Sequence, residues 1–70
     1  MFKSNYYVYG VWRDSFFRHH VEVINCRNTT KSKAIERMYD YLCYDPSFKR
    51  VSFRSVVKVF TVKVKGHAYD

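Results

Sequence analysis

The most versatile chemistry in this chain lies in three histidines and two cysteines: His19, His20, His67, Cys26 and Cys43. His19 and His20 adjoin in a segment with strand character, and neighbours on a strand project to opposite faces. They cannot both ligate one metal without a bulge. Cys26 and Cys43 lack the CxxC spacing of a zinc site, so the reading favours thiols that fill core space and histidines at the sheet surface. Ser15 and His19 can be drawn as nucleophile and base, but nothing in their spacing favours that pairing. No GxSxG, HExxH, Walker or Rossmann pattern occurs, and Gly10 and Gly66 are isolated. A chain of 70 residues has little material with which to wall off a water-excluding pocket. We expect no enzymatic activity, no cofactor and no metal.

The other chemistry is aromatic side chains interleaved with basic ones. Seven Tyr, six Phe and one Trp are more than a core of this size needs. Tyr6, Tyr9, Trp12, Phe16, Tyr39, Tyr44 and Tyr69 cannot all be interior. Exposed Tyr and Trp beside arginine and lysine are what stacking on bases and neutralising phosphates require. The same composition describes protein interfaces, where Tyr, Trp and Arg form hot spots. Half-buried sheet positions, which tyrosine favours, are the plainer explanation for any one of them.

Thirteen basic residues against six acidic give a formal charge of +7 and a pI near 9.7. The excess is uneven: residues 1–30 carry +2, residues 31–48 carry 0 and residues 49–70 carry +5. The C-terminal third therefore builds most of the cationic surface, which attracts nucleic acid, phosphorylated small molecules or acidic proteins. Solubility alone would also account for a charge of this size. With 47% apolar and 27% charged residues the chain is not a disordered tail.

These groups must be positioned by one small domain, residues 1–70. Domains of this size bury only about 60% of the surface of the unfolded chain and usually need reinforcement. Two cysteines cannot supply it, which leaves self-association, most simply as a homodimer. No stretch approaches the roughly 18 apolar residues of a membrane span, and Met1 to Ser4 leads directly into an aromatic run. A soluble cytoplasmic protein without membrane contact is expected, its thiols reduced.

Asn5 to Arg13 is dense in aromatic and β-branched residues and reads as a strand, with Tyr7, Tyr9 and Val11 on one face and Tyr6, Val8 and Trp12 on the other. Either face could need a cover from another chain. Asp14 and Ser15 mark a tight connection to a returning strand over Phe16 to Cys26, with Phe17, Val21 and Val23 on one face. Thr29 or Thr30 then caps a helix whose apolar stripe is Ala34, Ile35, Met38, Tyr41 and Leu42, and Asp45 with Pro46 stops it. In the last third Phe60, Val62 and Val64 alternate as the buried side of a strand, but Val57 and Val59 fall on the wrong parity. Either a bulge or another element precedes it. A short helix over Phe53 to Lys58, capped by Ser52, explains the break best. The fold expected is α+β: a three-stranded, mainly antiparallel sheet packed by one main and one short helix, in the order ββααβ.

The helix start Lys31-Ser32-Lys33-Ala34, the turn at Asp45, the Ser52-Phe53-Arg54 cap backed by Val56 and Val57, and the terminal basic strand Val62-Lys63-Val64-Lys65 together resemble small bacteriophage accessory proteins. The resemblance covers roughly Tyr7 to Lys65. It brings no catalytic residues with it. What it implies is a setting in which compact proteins bind and divert host machinery or defence signals.

The expected function is therefore binding of nucleic acid or a nucleotide phosphate through a basic, aromatic-rich face. Arg13, Arg18, Arg37, Arg54, Lys58, Lys63 and Lys65 would meet phosphates, and Tyr9 and Trp12 would stack on bases. The chain lacks an RNP1 pattern, which counts against a standard RNA module, while a sheet inserted in a DNA groove stays open. The alternative is an interaction module or inhibitor docking on an acidic host protein, as a host-takeover or anti-defence factor.

Overall fold

A computed structural model describes residues 3–64. Strands β1 (Ser4–Arg13), β2 (His19–Thr29) and β3 (Val56–Lys63) form one antiparallel sheet. Helix α1 (Lys31–Cys43) covers one face of it, and a 3-10 turn, Phe53–Ser55, leads into β3. The fold is α+β. Strand order is β2-β1-β3, which places the aromatic first strand in the centre.

Cross-strand partners in a ladder share a face. Tyr6, Val8, Gly10 and Trp12 lie opposite Cys26, Ile24, Glu22 and His20, and α1 packs on this side with Ala34, Met38 and Leu42. Those three helix residues are fully buried at a spacing of four, as one face of an α-helix requires. Thr30 begins the helix, its Oγ1 accepting from the Lys33 amide at 3.3 Å. At the far end Asp45 Oδ1 accepts from the Ser47 amide at 2.9 Å and the Ser47 hydroxyl at 2.7 Å, a local turn that competes with further helix. These bonds hold the Asp45 carboxyl below its ordinary pKa. The Val51 amide donates to the Leu42 carbonyl at 2.7 Å, pinning the loop after the helix to its last turn.

Gly10 is where the helix comes closest to the sheet. A Cβ there would stand 2.7 Å from Met38 Sδ and 3.0 Å from Leu42 Cδ1. Both neighbours are buried and have little room to retreat, so Gly10→Ala should destabilise the domain by about 1–3 kcal/mol, the usual cost of overpacking. Urea unfolding followed by circular dichroism reads this; an unchanged midpoint would mean that the helix sits further from the sheet.

Three expectations need correction. The second strand begins at His19, not Phe16, because residues 14–18 form the turn: the Asp14 amide donates to the Arg18 carbonyl at 2.9 Å, and Phe17 adopts a left-handed φ of 66°. The short helix shrinks to the 3-10 turn Phe53–Ser55, and Val56 and Val57 already belong to β3. A bulge also contributes to the parity break, since Val11 lies opposite Lys58 while Trp12 lies opposite Val56. Finally, the faces of β3 are inverted. Val59 and Val56 pack against the core, Thr61 lies opposite Val8, and Phe60 and Val62 point away from the helix.

Candidate functional site

The face of the sheet remote from α1 is uncovered. Tyr7, Tyr9, Val11 and Arg13 on β1 lie between Asn25, Val23, Val21 and His19 on β2 and Val62, Phe60 and Lys58 on β3. Its apolar residues are far from buried: Tyr7 is 42% exposed, Val21 57%, Val23 52%, Phe60 40% and Val62 47%. Tyr9 and Phe60, a cross-strand pair, stack with ring centroids 5.1 Å apart and planes within 6°. Lys58 Nζ stands 5.2 Å from the Phe60 centroid, over the ring. At the hairpin end Arg13 and Arg18 lie over the rings of Phe17 and Phe16, at 5.6 and 5.3 Å.

Charge on this face has one sign. Among the described residues, Asp14 is engaged within the hairpin, Glu22 accepts from Trp12 Nε1 on the helix side at 3.2 Å, Glu36 and Asp40 are on α1, and Asp45 is in the loop after it. The strand positions of the open face thus carry the cations Arg13 and Lys58 with no carboxylate among them, while Arg18 at the turn is paired with Asp14.

Of the side chains expected to bind, Tyr9, Arg13 and Lys58 come together here, and Arg18 adjoins them at the turn. Trp12 does not. It is 7% exposed, on the helix side, stacked on His20 at 4.4 Å and edge-on to Phe48 at 6.3 Å, so no ring face is free for a base. Arg37 projects from the exposed side of α1, Lys63 lies opposite Tyr6 on the helix side, and Arg54 sits in the 3-10 turn. Lys65 lies outside the described residues. Tyr7 and Phe60 belong to the face but were not singled out from sequence; Phe60 has the parity of Lys58, yet only the register with β1 decides which side that is.

Asp14 organises the hairpin end. Its Oδ1 accepts from the amides of Phe16 at 2.8 Å and Arg18 at 3.0 Å, and its Oδ2 lies 2.8 Å from His20 Nε2 and 3.5 Å from Arg18 Nε. The His20 contact first, then the Arg18 amide, lowers the Asp14 pKa from 3.8 to about 2. Because the folded-state value is the lower one, the ionised carboxylate favours the fold. That stabilisation is complete above pH about 4 and disappears as pH falls toward about 2. Asp14→Asn should flatten the loosening of the hairpin in this window, read from the Phe16 and Arg18 amide resonances; matching acid profiles for both proteins would refute the role.

Cys26 is buried and Cys43 half-buried, both free thiols. Burial, and secondarily Asp40, raises the Cys43 pKa, which disfavours the reactive thiolate. Among the described residues no three His, Cys, Asp or Glu side chains converge as a metal site, and no helix is long and apolar enough to cross a membrane. In comparisons with known protein families, curated proteins and solved structures, nothing matches the chain.

Proposed function

We propose that this is a non-enzymatic binding protein that holds single-stranded nucleic acid on the open face of its sheet. The observation that carries the reading is the exposed Phe60 stacked on the half-buried Tyr9 of the adjacent strand, with Lys58 over the Phe60 ring and Arg13 at the end of the same face. Bases offer free π-faces only when unpaired, so stacking selects single strands. Width argues the same way. Three strands about 4.8 Å apart, with their side chains, span about 14 Å, more than the roughly 12 Å major groove that accommodates a two-stranded ribbon. Lys58 caps the outer face of Phe60, and a base arriving there displaces it. That exchange is favourable, since an exposed cation–π contact is worth about 0.5–1 kcal/mol and a stacked base about 1–3 kcal/mol. The freed ammonium is then placed to meet a phosphate. In the bacteriophage setting that the sequence resembles, such a protein acts by occupying nucleic acid of the host.

Fluorescence anisotropy with labelled oligothymidine at several salt concentrations tests the proposal. Arg13, Arg18 and Lys58 each meeting a phosphate give a log–log salt slope of about −2, at about 0.7 per contact for single strands. Absence of binding at low salt would refute it.

A second reading has its own observation: the aliphatic Val21, Val23 and Val62 are 47–57% exposed on the same face. Valine adds little to base stacking and much to sheet-on-sheet packing, which brings faces to about 10 Å. Cover by a second copy, or by a partner with an acidic rim, follows from it. Light scattering discriminates, because an interface between copies gives a dimer that Val23→Lys dissociates, whereas a face reserved for nucleic acid leaves a monomer.

A further inference from the structure

At the hairpin end, where β1 finishes, a cleft of about 300 Å³ opens beside the sheet. Three cations from two distant parts of the chain line it, Arg13 and the consecutive Lys49 and Arg50, together with the hydroxyl residues Ser15, Ser52 and Ser55. Its volume is at the lower end of small-ligand pockets. The one carboxylate in the wall, Asp14, is already taken up by His20, Arg18 and two backbone amides. No ion pair among the described residues engages Arg13, Lys49 or Arg50, and the Ser52 side chain makes no capping bond to the turn that follows it.

The backbone here is held where an unconstrained chain would not go. Arg50 has a φ of 61°, the left-handed region that non-glycine residues enter only when their surroundings impose it. The constraint is visible on its C-terminal side: Val51 is buried, and its amide is bonded to the Leu42 carbonyl. On the other side Lys49 Nζ lies 6.0 Å from the Trp12 ring centroid. The loop thus presents two consecutive cations at the cleft beside Arg13 of the central strand.

We infer that this cleft binds a phosphate monoester, the terminal phosphate of a nucleotide or of a nucleic-acid strand. Guanidinium groups match phosphate oxygens with paired donors, an ammonium adds a point charge, and serine hydroxyls complete the shell. Three cations favour the dianion of a monoester over the single charge of a chain diester. The inference goes beyond the open-face reading and stands without it, although Arg13 borders both regions.

The test uses two kinds of probe, so that the source of the phosphate and the fate of each site are read separately. Titration with inorganic phosphate and with a nucleoside monophosphate is followed at the backbone amides of residues 49–52, in wild type and in Lys49→Ala and Arg50→Gly. Glycine adopts the left-handed φ without strain, so Arg50→Gly removes the guanidinium and keeps the loop. Saturable shifts that both substitutions weaken support the site; their absence with both probes overturns it. In parallel, two oligothymidines that differ only in a 5′-phosphate are compared. A strand-end ligand predicts roughly tenfold tighter binding of the phosphorylated strand, an increment lost in Arg50→Gly and retained in Tyr9→Ala. Equal affinity of the two strands, with saturable shifts from the mononucleotide, assigns the cleft to free nucleotides. Should neither strand bind, the open-face reading fails and the small-molecule titration alone decides the cleft.

Discussion

Leu42→Ala is expected to lower the unfolding free energy by about 2–5 kcal/mol, the cost of a buried leucine truncated with incomplete collapse around it. Leu42 is fully buried, with Met38 beside it, over the one position of β1 that has no side chain. Gly10 cannot fill the hole from below, and Val8 and Trp12 are fixed by the strand on either side. Collapse would require the whole helix to settle. The loss is large against what is available, because at about 0.05–0.15 kcal/mol per residue a chain of 70 residues has on the order of 4–10 kcal/mol in total. Thermal unfolding followed at the Trp12 near-ultraviolet signal should fall well below wild type. The exposed Tyr44→Ala, on the same helix end, should change little. A Leu42→Ala protein as stable as wild type would mean that the helix is not what holds the sheet together.

That packing was largely legible in the sequence. The stripe Ala34, Met38, Leu42 has a spacing that only a helix turns to one side, and Val8 with Trp12 has the parity of one strand face. The sheet face left uncovered was not legible in the same way. Both faces of β1 are bulky, and alternation alone gives no reason to prefer Tyr6, Val8 and Trp12 over Tyr7, Tyr9 and Val11 for the core. Gly10 was the available signal: a glycine within one parity set marks close approach of another backbone, and α1 lies on that side. β3 was read inverted for a related reason. Its bulge shifts parity by one residue, so Phe60 and Val62 look like core and Val57 and Val59 like exceptions until the register with β1 is known. Trp12 misled in the other direction, since aromatic type beside Arg13 suggested stacking on bases, while it shares the side of β1 that the helix covers over Gly10.

The second large effect concerns binding. Tyr9→Ala and Phe60→Ala should each weaken oligothymidine binding by about 1–3 kcal/mol, about 5- to 150-fold, with the salt slope unchanged. The slope stays because neither residue meets a phosphate. Lys58→Ala should behave differently, reducing the slope by about 0.7 and weakening binding in proportion to the salt present. The two aromatic substitutions should combine less than additively, because each ring loses its stacked neighbour as well as its base. Stability serves as the control. Both rings are partly exposed and lie on the face away from the core, so truncation should leave the domain folded. Anisotropy titrations of folded variants measure this, and unaltered affinity in both would remove the aromatic pair from the binding site.

The most direct test of the open face is a chemical-shift map: isotope-labelled protein titrated with a short oligothymidine of about ten nucleotides at low salt. Binding as proposed perturbs the side-chain resonances of Tyr7, Tyr9, Val11, Val21, Val23, Phe60 and Val62, with Lys58 and Arg13 at the margin. Ala34, Met38 and Leu42 beneath the helix stay unmoved. Perturbations confined to the exposed side of α1, around Lys33 and Arg37, or no perturbation at all at saturating oligonucleotide, would contradict it.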